Sequence, residues 1–176
     1  VLMDSLALPY VKRGAIAPVR PYARIWEQLT DSTRLVVQLD HGEIRIALRP
    51  QVAPLTVAQL IAEVESGYYD GKAWHRVVPN FVVQTGCPTG HGYDSGDFLL
   101  PTETSPYAHY YSAGSCGMAS IGPHTESTQW FISLRATPHL DGRYTKWGDV
   151  VSGLELLDQI KAGSIIQSMY LENLSL

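Results

Sequence analysis

Gly117-Met118-Ala119-Ser120-Ile121-Gly122-Pro123-His124-Thr125-Glu126-Ser127-Thr128-Gln129-Trp130-Phe131-Ile132 sets two short β-prone runs on either side of a Gly-Pro turn. Glycine tolerates positive φ and proline presets φ, so the pair punctuates the chain. Residues 74–147 share this character throughout: brief apolar runs separated by Gly, Pro and Asp. Upstream lies Trp74-His75-Arg76-Val77-Val78-Pro79-Asn80-Phe81-Val82-Val83-Gln84-Thr85-Gly86, which puts a cation, an aromatic ring and a primary amide into an apolar strand. In an extended chain alternate residues share a face, grouping Arg76, Val78, Val82 and Gln84. Phe81 has the opposite parity and meets Arg76 only if the chain bends near Pro79-Asn80. The plainer alternative is a core strand carrying one snorkelling arginine.

Further out, Leu35, Val37 and Leu39, then Ile44, Ile46 and Leu48, alternate about an Asp40-His41-Gly42 turn, the pattern of a β-hairpin. His41 reads as an exposed turn residue. A helix follows, with Thr56 and Gln59 as a capping box, Val57, Leu60, Ile61 and Val64 as its buried stripe and Gly67 as its stop. A second helix is expected from the capping pair Ser152 and Glu155 with Leu154, Leu157 and Ile160 inside, and a last strand from Ile165 to Leu174. Before residue 34 the chain is an irregular lead with Pro9, Pro18 and Pro21. Tyr22, Ile25, Trp26 and Leu29 recur there at helical spacing, which suggests a short docked helix or a contact with a neighbouring domain. Many strands and few short helices suggest a mainly β fold: a closed antiparallel barrel with helices plugging its ends.

Composition narrows the function. Hydrophobic residues are 45 % and charged residues only 17 %, against a usual ~25 %, which excludes a disordered chain. The 15 glycines and 11 prolines show no three-residue period, so they belong to turns. The length of 176 residues suits one domain with an appendage. A net charge of −4 with no basic run excludes a dedicated nucleic-acid binder. No apolar stretch is long enough for a membrane span, and the start at Val1 has neither a signal-peptide pattern nor an initiator Met. A soluble chain, processed or excised from a longer one, is expected; its compartment is open.

Cys87 and Cys116 read as unpaired, packed thiols. The six histidines include no i, i+4 pair and the cysteines no C-x-x-C, so neither metal nor cofactor is expected. Gly90-His91-Gly92-Tyr93-Asp94-Ser95-Gly96 has the wrong last spacing for a dinucleotide fingerprint and reads as a glycine-rich loop.

Three ordered blocks carry a resemblance. Residues 117–132 are similar to the cyclophilin run G-x-M-A-N-x-G-P-x-T-x-x-S-Q-F-F-I. Residues 74–86 resemble its F-H-R-x-x-P-x-F-x-x-Q-G-G. Leu140-Asp141-Gly142-Arg143-Tyr144-Thr145-Lys146-Trp147-Gly148-Asp149-Val150 resembles L-D-G-[KR]-x-x-x-F-G-x-V. The likeness runs from about Arg34 to Leu174, which sets an isomerase domain at 34–176 and an N-terminal extension or linker at 1–33. It implies an eight-stranded closed antiparallel barrel capped by two helices. The implied activity is peptidyl-prolyl cis-trans isomerisation, without cofactor or metal, on proline-containing peptides and on unfolded or folding proteins.

By the same resemblance Arg76, Phe81 and Gln84 are the catalytic set. Val82, Ala119, Ser120, Gln129, Phe131, His139, Leu140 and Tyr144 bind substrate, and His75 packs behind the site. Several positions depart from the pattern. His139 stands for a common Trp associated with cyclosporin binding, and Tyr144 for a His lining the proline pocket. Ser120 replaces Asn, Val82 replaces Met, Trp74 and Trp130 replace Phe, and Thr85 and Cys87 alter a G-G-D. They leave Arg76, Phe81, Gln84 and Phe131 in place. They also motivate the rival expectation of a proline-peptide binding module with little turnover, serving a larger protein through residues 1–33.

Overall fold

The structure, a computed structural model, describes residues 29–104 and 110–173 and the backbone of 15–16. The helix expected around Tyr22, Ile25 and Trp26 lies outside these; Leu29, the end of its stripe, packs partly buried against the core. Among the described residues no helix is long and apolar enough to cross a membrane.

The alternating segments form the expected hairpin. Strand β2 (Thr33–Leu39) pairs with β3 (Gly42–Leu48), placing Leu35 opposite Ile46 and Val37 opposite Ile44. The other strands of this sheet are β4 (Arg76–Val78), β5 (Val82–Thr85), β7 (Ser115–Met118), β8 (Trp130–Ser133), β9 (Lys146–Ser152) and β10 (Ser168–Asn173). With β2 and β3 they make one antiparallel eight-stranded sheet in the order β10-β2-β3-β9-β7-β8-β5-β4. Its end strands β10 and β4 share no ladder. The segments leading into them do meet: Ala73 bridges Ile165, and Trp74 N–H donates to the Ser164 carbonyl at 2.8 Å. The sheet is thus strongly curled. Apart from it, β1 (Ala15–Ile16) runs parallel to β6 (Phe98–Leu99).

The hairpin residues Arg76 and Gln84 correct the picture of one long strand. Pro79 and Asn80 form the turn between β4 and β5, with Asn80 at φ 61°, and Arg76 and Gln84 are cross-strand partners. The even-numbered face survives the turn, because pairing keeps Arg76, Val82 and Gln84 on one side.

Helix α1 (Pro54–Glu65) buries Val57, Leu60, Ile61 and Val64 as expected. Its capping box does not form. The helix starts three residues earlier, with Ala53 at the N-cap and Pro54 following, a residue suited to the first turn because its missing N–H has no intrahelical partner there. The free N–H groups of Leu55 and Thr56 instead donate to the Glu103 carboxylate at 3.0 and 2.8 Å. A carboxylate at the positive end of the helix dipole is favourable. Glu103→Ala is expected to lower stability by about 1–2 kcal/mol, read as a shifted urea midpoint with an unchanged slope.

The second helix is also different. Leu154–Gln159 is 3-10, Ser152 ends β9, and Gly153 enters in the left-handed region at φ 83°. Ser152 and Glu155 therefore make no cap; a Cβ on Gly153 would press on the Ile44 backbone at 3.1 Å.

Two apolar clusters divide the interior. The larger packs α1 on the sheet around Trp74, Trp130 and Trp147, whose rings meet edge to face at 5.3 and 5.5 Å. The smaller contains Val82, Tyr111, Phe131 and Leu140, flanked by Phe81, Ala119 and Tyr144. Strand alternation separates them: Trp130 and Ile132 of β8 enter the first cluster, and Phe131 the second. Trp130 therefore fills the core without displacing its neighbour. Cys87 and Cys116 are both free and buried.

Candidate functional site

A groove over the smaller cluster is lined by Arg76, Phe81, Val82, Gln84, Ala119, Ser120, Phe131, Leu140 and Tyr144. Phe131 is its floor. Tyr144 stands edge-on to that ring at 5.9 Å, and Tyr111 stacks on it at 5.6 Å. Such offset and edge-to-face contacts fix ring positions as well as burying area. Gly117 lies where the rings converge: a Cβ there would come within 2.7 Å of Phe131 Cζ.

The polar side of the groove is a relay of amides. Arg76 NH1 donates to Gln84 Oε1 at 3.3 Å, and Gln84 Nε2 donates to Gln129 Oε1 at 2.8 Å. Gln129 Nε2 donates in turn to the carbonyls of Gly92 and Asp94, at 3.1 and 2.7 Å. A flexible arginine is thereby tied, through two side chains, to the backbone of the 87–94 loop. Its guanidinium also lies 5.8 Å from the Phe81 ring centroid, within cation–π range. Among the described residues no carboxylate forms an ion pair with Arg76.

Nine of the eleven residues expected at the site line this groove, and the other two adjoin it. Gln129 holds Gln84, and His139 stacks on Phe81 at 5.4 Å. His75 faces away, packed under Gly92, where an added Cβ would sit 3.0 Å from the imidazole Cδ2. Burial, with the charge of Arg76 acting in the same direction, holds its imidazole below the usual range. A second pocket shares Gln84, Ala119 and Ser120 with the groove and continues to Tyr93, Leu99 and Ile121.

Tyr111 was not foreseen. It is 2 % exposed while its neighbour Tyr110 is 77 % exposed, and nothing in the local sequence distinguishes the two. Its hydroxyl donates to the Tyr144 carbonyl at 3.3 Å. Burial keeps its phenol well above the ordinary range, so it remains a neutral donor. Among the described residues no cluster of His, Cys, Asp and Glu could hold a metal ion.

The family model for cyclophilin type peptidyl-prolyl cis-trans isomerases matches residues 34–173. Peptidyl-prolyl cis-trans isomerase B of Bacillus subtilis is 38 % identical over 133 residues, covering 76 % of this chain and 93 % of that protein. The Schizosaccharomyces pombe isomerase ppi1 is 42 % identical over 123 residues, covering 68 % and 79 %. The crystal structure of a Cryptosporidium parvum cyclophilin type isomerase superposes with a TM-score of 0.75 at 25 % identity, covering 81 % of this chain and 99 % of that one. A second crystal structure of that protein was determined in the presence of the dipeptide Ala-Pro, and superposes with a TM-score of 0.71.

Proposed function

The chain belongs to the cyclophilin-type peptidyl-prolyl cis-trans isomerase family, and from that premise we propose how its own residues perform the reaction and on what. The substrate is an exposed X–Pro bond in a peptide or in an unfolded or folding protein. Rotation about such a bond breaks amide resonance against a barrier near 18–20 kcal/mol, while its isomers differ by only about 0.5–1 kcal/mol. Catalysis therefore means binding the twisted amide more tightly than either planar form. A 10⁵-fold acceleration corresponds to about 7 kcal/mol of such preference.

In the twisted amide the proline nitrogen regains a lone pair and becomes basic. Arg76 donates a hydrogen bond toward that nitrogen or the adjacent carbonyl. A guanidinium stays charged and needs no proton transfer, so it can act as a fixed electrostatic partner throughout the rotation. Phe131 receives the proline ring, with Val82, Leu140 and Tyr144 beside it and Phe81 under Arg76. Gln84 orients Arg76, and the backbone near Ala119 and Ser120 binds the residue before proline. The observation that carries this reading is the guanidinium held by Gln84 above an aromatic floor, with no ion-paired carboxylate among the described residues.

We also infer an isomerase domain at 34–176 with residues 1–33 as its extension, and read the Ala73–Ile165 bridge as the seam that closes the curled sheet into a barrel. Exchange spectroscopy by NMR on a short Ala-Pro peptide tests the function. Wild-type chain is expected to merge the exchange of cis and trans peaks at catalytic protein concentration. Peak shifts without faster exchange would instead establish the low-turnover binding module that the changes at His139 and Tyr144 suggested.

A further inference from the structure

Glu126 makes no contact with the groove, yet none of its surface is exposed. A glutamate is almost never fully buried unless its oxygens are paired. Here both are: Oε1 accepts from Thr145 Oγ1 at 3.1 Å and Oε2 from Thr102 Oγ1 at 3.0 Å. Each threonine oxygen also accepts a backbone N–H, Thr145 from Glu103 at 2.7 Å and Thr102 from His124 at 2.8 Å. Those amides turn both hydroxyl protons toward Glu126. An ionised carboxylate accepts both at once; protonation leaves one oxygen a weaker acceptor, and an amide puts a donor-only nitrogen in that place and turns one of the hydroxyls away.

The carboxylate stands between the walls of the two pockets. Thr145 follows Tyr144, which lines the groove, and its carbonyl accepts the Met118 N–H at 2.9 Å, next to Ala119. Thr125 and Ser127, on either side of Glu126, line the second pocket. The Glu126 carbonyl accepts the Leu100 N–H at 2.7 Å, adding the 100–103 loop to the same knot.

We propose that Glu126 is a positioning residue for the isomerase: as a double acceptor of Thr102 and Thr145 it holds Tyr144 against Phe131 and so sets the width of the groove that the proline ring enters. This rests on the reading of Tyr144 as part of the proline pocket. Burial pushes the Glu126 carboxyl above its usual range, with the two threonine hydroxyls and His124 opposing. The titratable groups around it are His124, Tyr111 and, one hydrogen bond away through Thr145, Glu103. Because a guanidinium keeps its charge without any proton transfer, the chemistry itself imposes no acid limb on the rate. Protonation of Glu126 does, by weakening its hold on one threonine. The expected limb falls above the ordinary glutamate range, with activity lost as pH drops through it.

The test measures kcat/KM on an Ala-Pro peptide across pH for the full chain and for Glu126→Gln, Tyr144→Ala and the double variant. Glu126→Gln is expected to lower kcat/KM by about tenfold at neutral pH, a geometric loosening being costly to a reaction that depends on fit. In the Tyr144→Ala background the same change should cost less than about twofold, since neighbouring residues acting through one contact are not additive. Glu126→Gln should also remove the acid limb. Thr102→Val, which withdraws one donor, should show a smaller loss with the same coupling and serves if Glu126→Gln does not fold. Additive losses, or an acid limb that persists in Glu126→Gln, would overturn the proposal while leaving the isomerase assignment intact. An inactive wild type would instead overturn the reading on which it rests.

Discussion

Arg76→Ala is expected to cut kcat/KM for an Ala-Pro peptide by about 100- to 1,000-fold, the usual cost of losing one preorganised donor at a developing charge. The fold should not notice. Arg76 is exposed at the first position of β4, and its described contacts are with Gln84 and the Phe81 ring. Thermal melts of the variant and wild type should therefore overlay within a few degrees. Arg76→Lys is the sharper comparison, because it keeps the charge and loses the planar fork of donors. Lysine carries its three donors on one tetrahedral nitrogen and cannot reproduce the spacing by which one guanidinium nitrogen is held by Gln84 while another faces the substrate, so most of the loss should remain. Near-wild-type exchange rates in Arg76→Lys would show that charge alone, without orientation, stabilises the twisted amide.

Gly86→Ala should have the largest effect on stability, about 4 kcal/mol or more, a size seen only when a substitution meets several unfavourable terms together. Gly86 has φ +85°, where an L side chain is strained. Its added Cβ would collide with the Thr128 carbonyl oxygen and lie 3.0 Å from the Thr128 carbonyl carbon and 3.1 Å from Gln129 Cα. These are backbone atoms, so no rotamer change relieves the clash. Tyr68 and Tyr69 fix the same spot, donating their hydroxyls to the Gly86 and Thr128 carbonyls at 3.0 Å each. Urea unfolding checks the loss. Any folded remainder should also be catalytically poor, because the residue pushed aside is the Gln129 that holds Gln84. A wild-type urea midpoint for Gly86→Ala would overturn this packing argument.

The first hairpin and one face of the groove were legible from local chemistry, whereas Phe131, Leu140, Tyr144 and the rest of the lining came with the resemblance of the three sequence blocks. Alternation gave the β2–β3 hairpin, and parity around Pro79-Asn80 put Arg76, Val82 and Gln84 on one face, although that bend is a full turn. The failures share a physical origin. The capping box at Thr56 and Gln59 is a local pattern outcompeted by Glu103, a carboxylate from a loop nearly fifty residues away. The expected second helix forms at Leu154–Gln159 as a 3-10 turn, but its Ser152 and Glu155 cap yielded to a left-handed glycine pressed against β3, a tertiary contact that sequence spacing does not display. Tyr111 and Glu126 carry ordinary side chains whose importance lies in what surrounds them, so no spacing rule could single them out.

The sheet order has a further consequence for how the chain is made. Strand β2 ends its ladder with Thr33 opposite Asn173, and the Thr33 hydroxyl donates to Asn173 Oδ1 at 2.7 Å, across 140 positions of sequence. At a ribosomal pace of about 5–20 residues per second, β2 waits roughly 7 to 28 seconds for that partner. In the meantime β4, β5, β7 and β8, the strands that carry the groove, have all emerged and can pair with one another. The nascent chain therefore has the means to assemble its groove while one edge of β2 is still bare, and long-range pairing of this kind is slow to close. The interval before β10 arrives is when an unpaired apolar strand is most exposed to other chains.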